Sequence, residues 1–134
     1  MSALDTQIQG THYKNVTLQP IEITYMLGAS PAWCKLAKYL SRDKGDKKIN
    51  LQKAIHCIQL EKELVVKYDP YEHSSEYALL YSHKGVWVKT VRDFSSQFTE
   101  SEDFFDALYC MYRNDYDCAI NAVKNYALEL GIDL

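Results

Sequence analysis

Two apolar helical stripes separated by one short charged turn constrain the fold more than any other feature of this chain. Trp33, Leu36, Ala37 and Leu40 recur at i, i+3, i+4 and i+7, the spacing of one buried helix face. Ser30-Pro31 precedes them, a good N-cap followed by a residue whose missing N–H costs nothing in the first turn. The spacing predicts a helix from there to about Asp43. Asp43 to Lys48 reads as a charged turn around Gly45. Asn50 then reads as the cap of a third helix, Leu51 to Tyr68, with Leu51, Ala54, Ile55, Ile58 and Val65 as its apolar stripe. Two amphipathic helices joined by so short a turn form an antiparallel hairpin.

The remaining punctuation extends this pattern. Pro20 opens a short helix, Ile21 to Leu27, stopped by Gly28. Asp69-Pro70 closes the first half, and Asp69 to Ser75 is the natural linker. Ser74 or Ser75 starts a helix over Glu76 to His83, and Gly85 interrupts it. Val86 to Val91 is rich in β-branched residues, which favours a strand. Trp87, Val91, Phe94 and Phe98 recur at helical spacing, and helix is the reading adopted for 86–98. Ser101 caps Glu102 to Tyr112, whose first-turn acids suit the helix dipole. Asp115 caps Tyr116 to Leu130, closed by Gly131. The expected fold is all-α, a compact helical bundle. Residues 1–68 supply the helical hairpin, and residues 69–134 form a C-terminal helical half packed on it.

Composition removes several function classes. The chain has 134 residues, 47% hydrophobic and 25% charged, as an ordinary globular domain does. A net charge of −3 argues against general nucleic-acid binding through a basic field. No apolar stretch approaches the length that spans a bilayer, so no membrane role is expected. Met1 to Gln9 is polar, so a signal peptide is not expected, and the chain reads as cytoplasmic with reduced thiols. Cys34, Cys57, Cys110 and Cys118 form no C-x-x-C or zinc-finger spacing and read as structural. His56 has no ligand four residues away, and His73-x-x-Glu76 occurs once where di-iron bundles need two, so no metal site is expected.

The chemistry-bearing residues are cationic. Lys35, Lys38 and Arg42 lie three and four residues apart and share a helix face. Lys53 sits near the start of the next helix and is expected to meet the Arg42 end of the first. No G-x-x-x-x-G-K-[ST] is present, so any phosphate grip must come from side chains and helix ends. Arg42 suits bidentate phosphate binding, whereas Lys38, Lys48 and Lys53 act as point charges. His12-Tyr13 lies in a segment without strong helix signals, where it suits proton transfer, phosphate binding or stacking on a base. Glu22 could orient His12 or Lys38, or simply favour a helix N-terminus. The bland reading is a solvated face neutralised by Asp43, Asp46 and Glu61. Arg42 is expected to be exposed. The C-terminal half is locally acidic through Glu100, Glu102, Asp103, Asp106, Asp115 and Asp117, and with Tyr109, Tyr112, Tyr116 and Tyr126 it could serve self-association or a protein partner.

His12-Tyr13, Pro20-Ile21-Glu22, Lys38-Tyr39-x-x-Arg42, Lys47-Lys48 and Leu51-x-Lys53-Ala54 occur in this order. In that order the set resembles the SaV-like family of phage and prophage proteins, over about residues 10–64. At least one member of that family is a nucleotide kinase without a P-loop. The resemblance implies a phage-encoded nucleotide-binding protein acting in the host-cell cytoplasm, with a nucleoside monophosphate kinase activity as its sharpest form. It would place His12 and Arg42 in catalysis, Lys38, Arg42, Lys48 and Lys53 on phosphate, and Tyr13 and Tyr39 against the base, with magnesium left open. Two positions depart from the pattern. Trp33-Cys34-Lys35-Leu36-Ala37 stands where the family has Gly-Asn, and Asn50 stands where it has Asp. An amide is no general base and a poorer cation ligand than a carboxylate. The alternative is therefore a non-enzymatic effector that binds a host or defence protein, or a sponge for a nucleotide signal. A homo-oligomer is expected in either case.

Overall fold

A computed structural model describes residues 17–68 and 84–134, and for 84–87 the backbone alone. Six helices make up the described chain, with no strand among the described residues. They are α1 (Pro20–Leu27), α2 (Pro31–Ser41), α3 (Lys47–Tyr68), α4 (Lys84–Ser96), α5 (Glu102–Tyr112) and α6 (Tyr116–Glu129). The all-α reading holds, and 86–98 is helical over most of its length. The helix expected over Glu76 to His83 lies outside the described residues.

Local signals account for most of the boundaries. Pro20 opens α1, and Gly28 ends it in the left-handed region at φ 62°, where Ala29 N–H reaches back to Thr24 O at 3.0 Å. Ser30 Oγ accepts from Trp33 N at 3.0 Å and starts α2. Ser101 Oγ and Asp115 Oδ1 do the same for α5 and α6, accepting from Phe104 N and Cys118 N. These caps match the sequence reading.

The start of α3 does not. Asn50 is no cap: the helix begins four residues earlier than expected, at Lys47. Asp46 Oδ1 accepts from Ile49 N at 3.2 Å, and Asp46 O accepts from Asn50 N at 3.0 Å. A carboxylate cap complements the helix dipole better than a neutral amide, so the earlier of two competing cap residues prevails. Asn50 is buried inside the first turn, and its Nδ2 donates to Lys44 O at 3.0 Å. The connection between α2 and α3 is thus only residues 42–46, since α2 also ends at Ser41 rather than near Asp43.

α2 packs on α3 and α5 on α6, giving two helical hairpins; α3 lies against α6 and α2 against α5. α1 rests on α2 and α4, and α4 rests on α5. One hydrophobic cluster runs through both halves and includes Ile23, Trp33, Leu36, Leu40, Leu51, Ile58, Phe94, Phe104, Leu108 and Val123. Trp33 is 1% exposed, and its Nε1 donates to Leu108 O at 3.0 Å. Tyr112 Oη donates to Leu27 O at 2.6 Å. Both bonds tie the first half to the second while satisfying a polar atom at the end of a large apolar side chain. Tyr112 and Tyr126 are therefore core residues, not the self-association surface that the sequence suggested. No described helix is long and apolar enough to cross a membrane.

Candidate phosphate site at the hairpin turn

The turn between α2 and α3 forms one wall of an open cleft of about 410 Å³. Leu40, Ser41, Arg42, Asp43 and Lys47 line that wall; Gln97, Phe98 and Tyr126 line the other. The cleft thus exists only because α4 and α6 pack beside the hairpin turn.

Arg42 follows the last residue of α2 with an extended backbone, φ −70° and ψ 126°, which swings its side chain out of the helical array. It is half-buried, not exposed as the sequence suggested. Its Nε is buried and has no hydrogen-bond partner. A charged donor left unsatisfied costs more than an ordinary hydrogen bond contributes, so this atom has a standing demand for an acceptor.

Lys47 is the second cation of the cleft. Its Nζ donates to Leu40 O at 2.8 Å and Arg42 O at 3.1 Å, the free carbonyls at the end of α2. A cation there also meets the negative end of the helix dipole. The same ammonium sits 5.8 Å from the centroid of the Tyr126 ring. Burial pushes the Lys47 ammonium below its ordinary value, and Asp43 pulls it partly back. With two of its three N–H groups on carbonyls, Lys47 presents one donor to the cleft.

The opposite wall is held by side-chain hydrogen bonds and ring contacts. Gln97 Oε1 accepts from Leu18 N at 2.8 Å, and its Nε2 donates to Leu18 O at 2.9 Å. This pair pins the chain entering α1 against the end of α4. Phe94, Phe98, Phe104 and Tyr126 form a run of aromatic contacts, with centroids 5.1 Å, 6.1 Å and 5.4 Å apart, behind the cleft. Burial, reinforced by Glu129, pushes the Tyr126 phenol above its ordinary value, so it stays neutral.

Of the described residues expected to take part in catalysis, phosphate binding or base stacking, Arg42 alone lines this cleft. Lys38 and Lys48 are exposed and do not line it. Lys53 does not join Arg42: its Nζ lies 5.6 Å from the centroid of the Tyr39 ring, so these two residues engage each other. Lys35 lines a separate apolar groove of about 550 Å³ with Ile21, Tyr25 and Cys34. Glu61 is buried and accepts from Ser30 Oγ, and Asp46 caps α3. His12 and Tyr13 lie outside the described residues. The residue that the spacing argument missed is Lys47, which had been grouped with Lys48 as part of a charged turn. The signal lay in its position just past a helix C-terminus, where a cation finds free carbonyls. Phe98 and Tyr126 carry no signal in the sequence, because only tertiary packing brings them to the turn.

Among the described residues no group of three or more His, Cys, Asp or Glu side chains is placed to hold a metal ion. Comparison with known proteins returns no match: no family model, no curated protein and no solved structure is similar to this chain.

Proposed function

We propose that the chain binds a small phosphorylated ligand, a nucleotide, in the cleft at the end of the α2–α3 hairpin. The observation that carries this reading is Arg42, a residue of the cleft wall whose buried Nε has no hydrogen-bond partner. A phosphate oxygen supplies the acceptor that Nε lacks, and the planar guanidinium can hold two such oxygens at once. Lys47 adds a second positive charge and one free donor. Phe98 and Tyr126 line the cleft and offer aromatic surface to a base, whereas Tyr39 does not line it.

Binding without turnover is the form the residues favour. Phosphoryl transfer needs positioned charge and a group to orient the nucleophile. Asn50, where the SaV-like pattern carries Asp, is buried and spends its amide on Lys44 O. It supports the turn and offers the cleft no base. A kinase would have to draw its base from elsewhere.

The test is isothermal titration of the purified chain with nucleoside mono- and triphosphates, with and without magnesium. Micromolar heat that disappears in Arg42→Ala supports the reading. Absence of heat with every nucleotide returns Arg42 to a structural role.

The acidic face of α5 and α6 favours a second reading, an effector that occupies a basic protein surface. Asp103 is raised to about 6, chiefly because Glu129 hydrogen-bonds to it and repels its charge. Burial and Glu102 raise Asp106 as well. So much negative charge on one face is a feature that a cationic partner would relieve. Charge reversal at Asp103 and Asp106 separates the two readings: it would abolish partner binding and leave nucleotide binding intact. Asp115 is unsuited to that test, because it caps α6.

A further inference from the structure

Cys110 and Cys118 stand at equal distances from Asn114, at the centre of the turn between α5 and α6. Cys110 lies in the last turn of α5 and Cys118 in the first turn of α6. The turn is tight: Asp115 N donates to Cys110 O at 2.8 Å, Asn114 takes φ 63°, and Asp115 Oδ1 holds Cys118 N. Asp115 thus bonds the Cys110 carbonyl through its backbone and the Cys118 amide through its side chain, which brings the two cysteines to one turn. Cys110 is 8% exposed and packed into the core, whereas Cys118 is only half-buried. No third ligand completes a metal site around them among the described residues.

We infer that Cys110 and Cys118 are an oxidation site, a dithiol that a peroxide converts into an intramolecular disulfide across the α5–α6 turn. Cys118, the accessible thiol, loses its proton and attacks one oxygen of hydrogen peroxide. The O–O bond breaks, Cys118 becomes a sulfenic acid, and the released hydroxide takes up the proton as water. Cys110 sulfur then attacks Cys118 sulfur. The S–O bond breaks, and the departing hydroxide takes the Cys110 proton as a second water. Two thiols and one peroxide give one disulfide and two waters, the sulfurs losing the two electrons the peroxide gains. The order of attack follows the environments. Burial, the neighbouring Cys118 thiol and the charges of Asp115 and Asp106 hold the Cys110 thiol up at about 12, so it resolves and does not initiate.

This inference does not depend on the nucleotide reading. Its test is thiol counting on the whole chain, denatured after exposure to hydrogen peroxide, with peptide mapping of any bond formed. The expected result is a fall from four free thiols to two, with one bond linking Cys110 to Cys118 within a single chain and Cys34 and Cys57 still reduced. Cys118→Ser should retain all three of its remaining thiols under the same treatment. Because Cys118 is half-buried, this variant should keep the fold, which circular dichroism checks. Four thiols surviving in the wild-type chain, or a bond found only between chains or between another pair, would overturn the inference.

Discussion

Arg42 and Asn50 flank one turn and meet burial in opposite ways. Asn50 satisfies its amide on Lys44 O, whereas Arg42 leaves Nε without an acceptor. Removing each side chain should therefore act oppositely. Asn50→Ala deletes a satisfied buried donor and should destabilise the fold by about 1–3 kcal/mol in chemical denaturation. Arg42→Ala deletes an unsatisfied one and should leave the denaturation midpoint unchanged or raised. Asn50→Asp should lower stability without adding turnover, since a carboxylate facing Lys44 O replaces a donor with an acceptor. The Asp103–Glu129 pair carries the residue-scale pH dependence. Asp103 binds its proton more tightly folded than unfolded, so between about 4 and 6 the folded chain holds more protons. That part of the stability is present at low pH and is lost as pH rises through about 6. Glu129 is shifted down by its bond to Asp103 and acts oppositely, but only below its ordinary value. Thermal melts from pH 4.5 to 7 should fall in the wild type, and the fall should flatten in Asp103→Asn.

At the scale of elements, capping decides what was legible in the sequence. Ser30, Ser101 and Asp115 each stand alone as cap candidates before an apolar period, and each caps its helix. Asp46 and Asn50 compete four residues apart, and propensity alone does not separate them. The choice fell to the dipole and to the acceptor that Lys44 O offers Asn50, which is visible only once the turn is folded. Asp46→Ala should therefore destabilise the chain by about 1 kcal/mol, measured by urea denaturation. The ambiguous 86–98 segment resolved to helix because Val91 and Phe94 at helical spacing are both fully buried. The cationic face resolved less well. Spacing put Lys38 and Arg42 on one helix face, but α2 ends at Ser41; Arg42 lies just past it where the backbone leaves the helix, and of the two only Arg42 lines the cleft.

On the scale of the whole molecule, the site depends on packing between sequence-distant elements. Trp33 to Leu108 and Tyr112 to Leu27 bind the two halves across more than seventy residues. Leu108→Ala, at a fully buried position, should cost about 2–5 kcal/mol and lower the melting temperature of the molecule in one cooperative step. Nothing in a sequence window of the hairpin could announce Gln97, Phe98 or Tyr126 as cleft residues. They arrive through the contacts of α4 with α5 and α1 and of α6 with α3. The central claim is that Arg42 Nε awaits a phosphate oxygen. The most direct measurement is the Arg42 Nε–H signal in a proton–nitrogen correlation spectrum, assigned by its loss in Arg42→Lys and followed as nucleotide is added. A saturable downfield shift of that signal, with Tyr126 and Phe98 ring resonances moving in parallel, is the predicted result. A signal that stays in place while any nucleotide is shown to bind, or while none does, would contradict it.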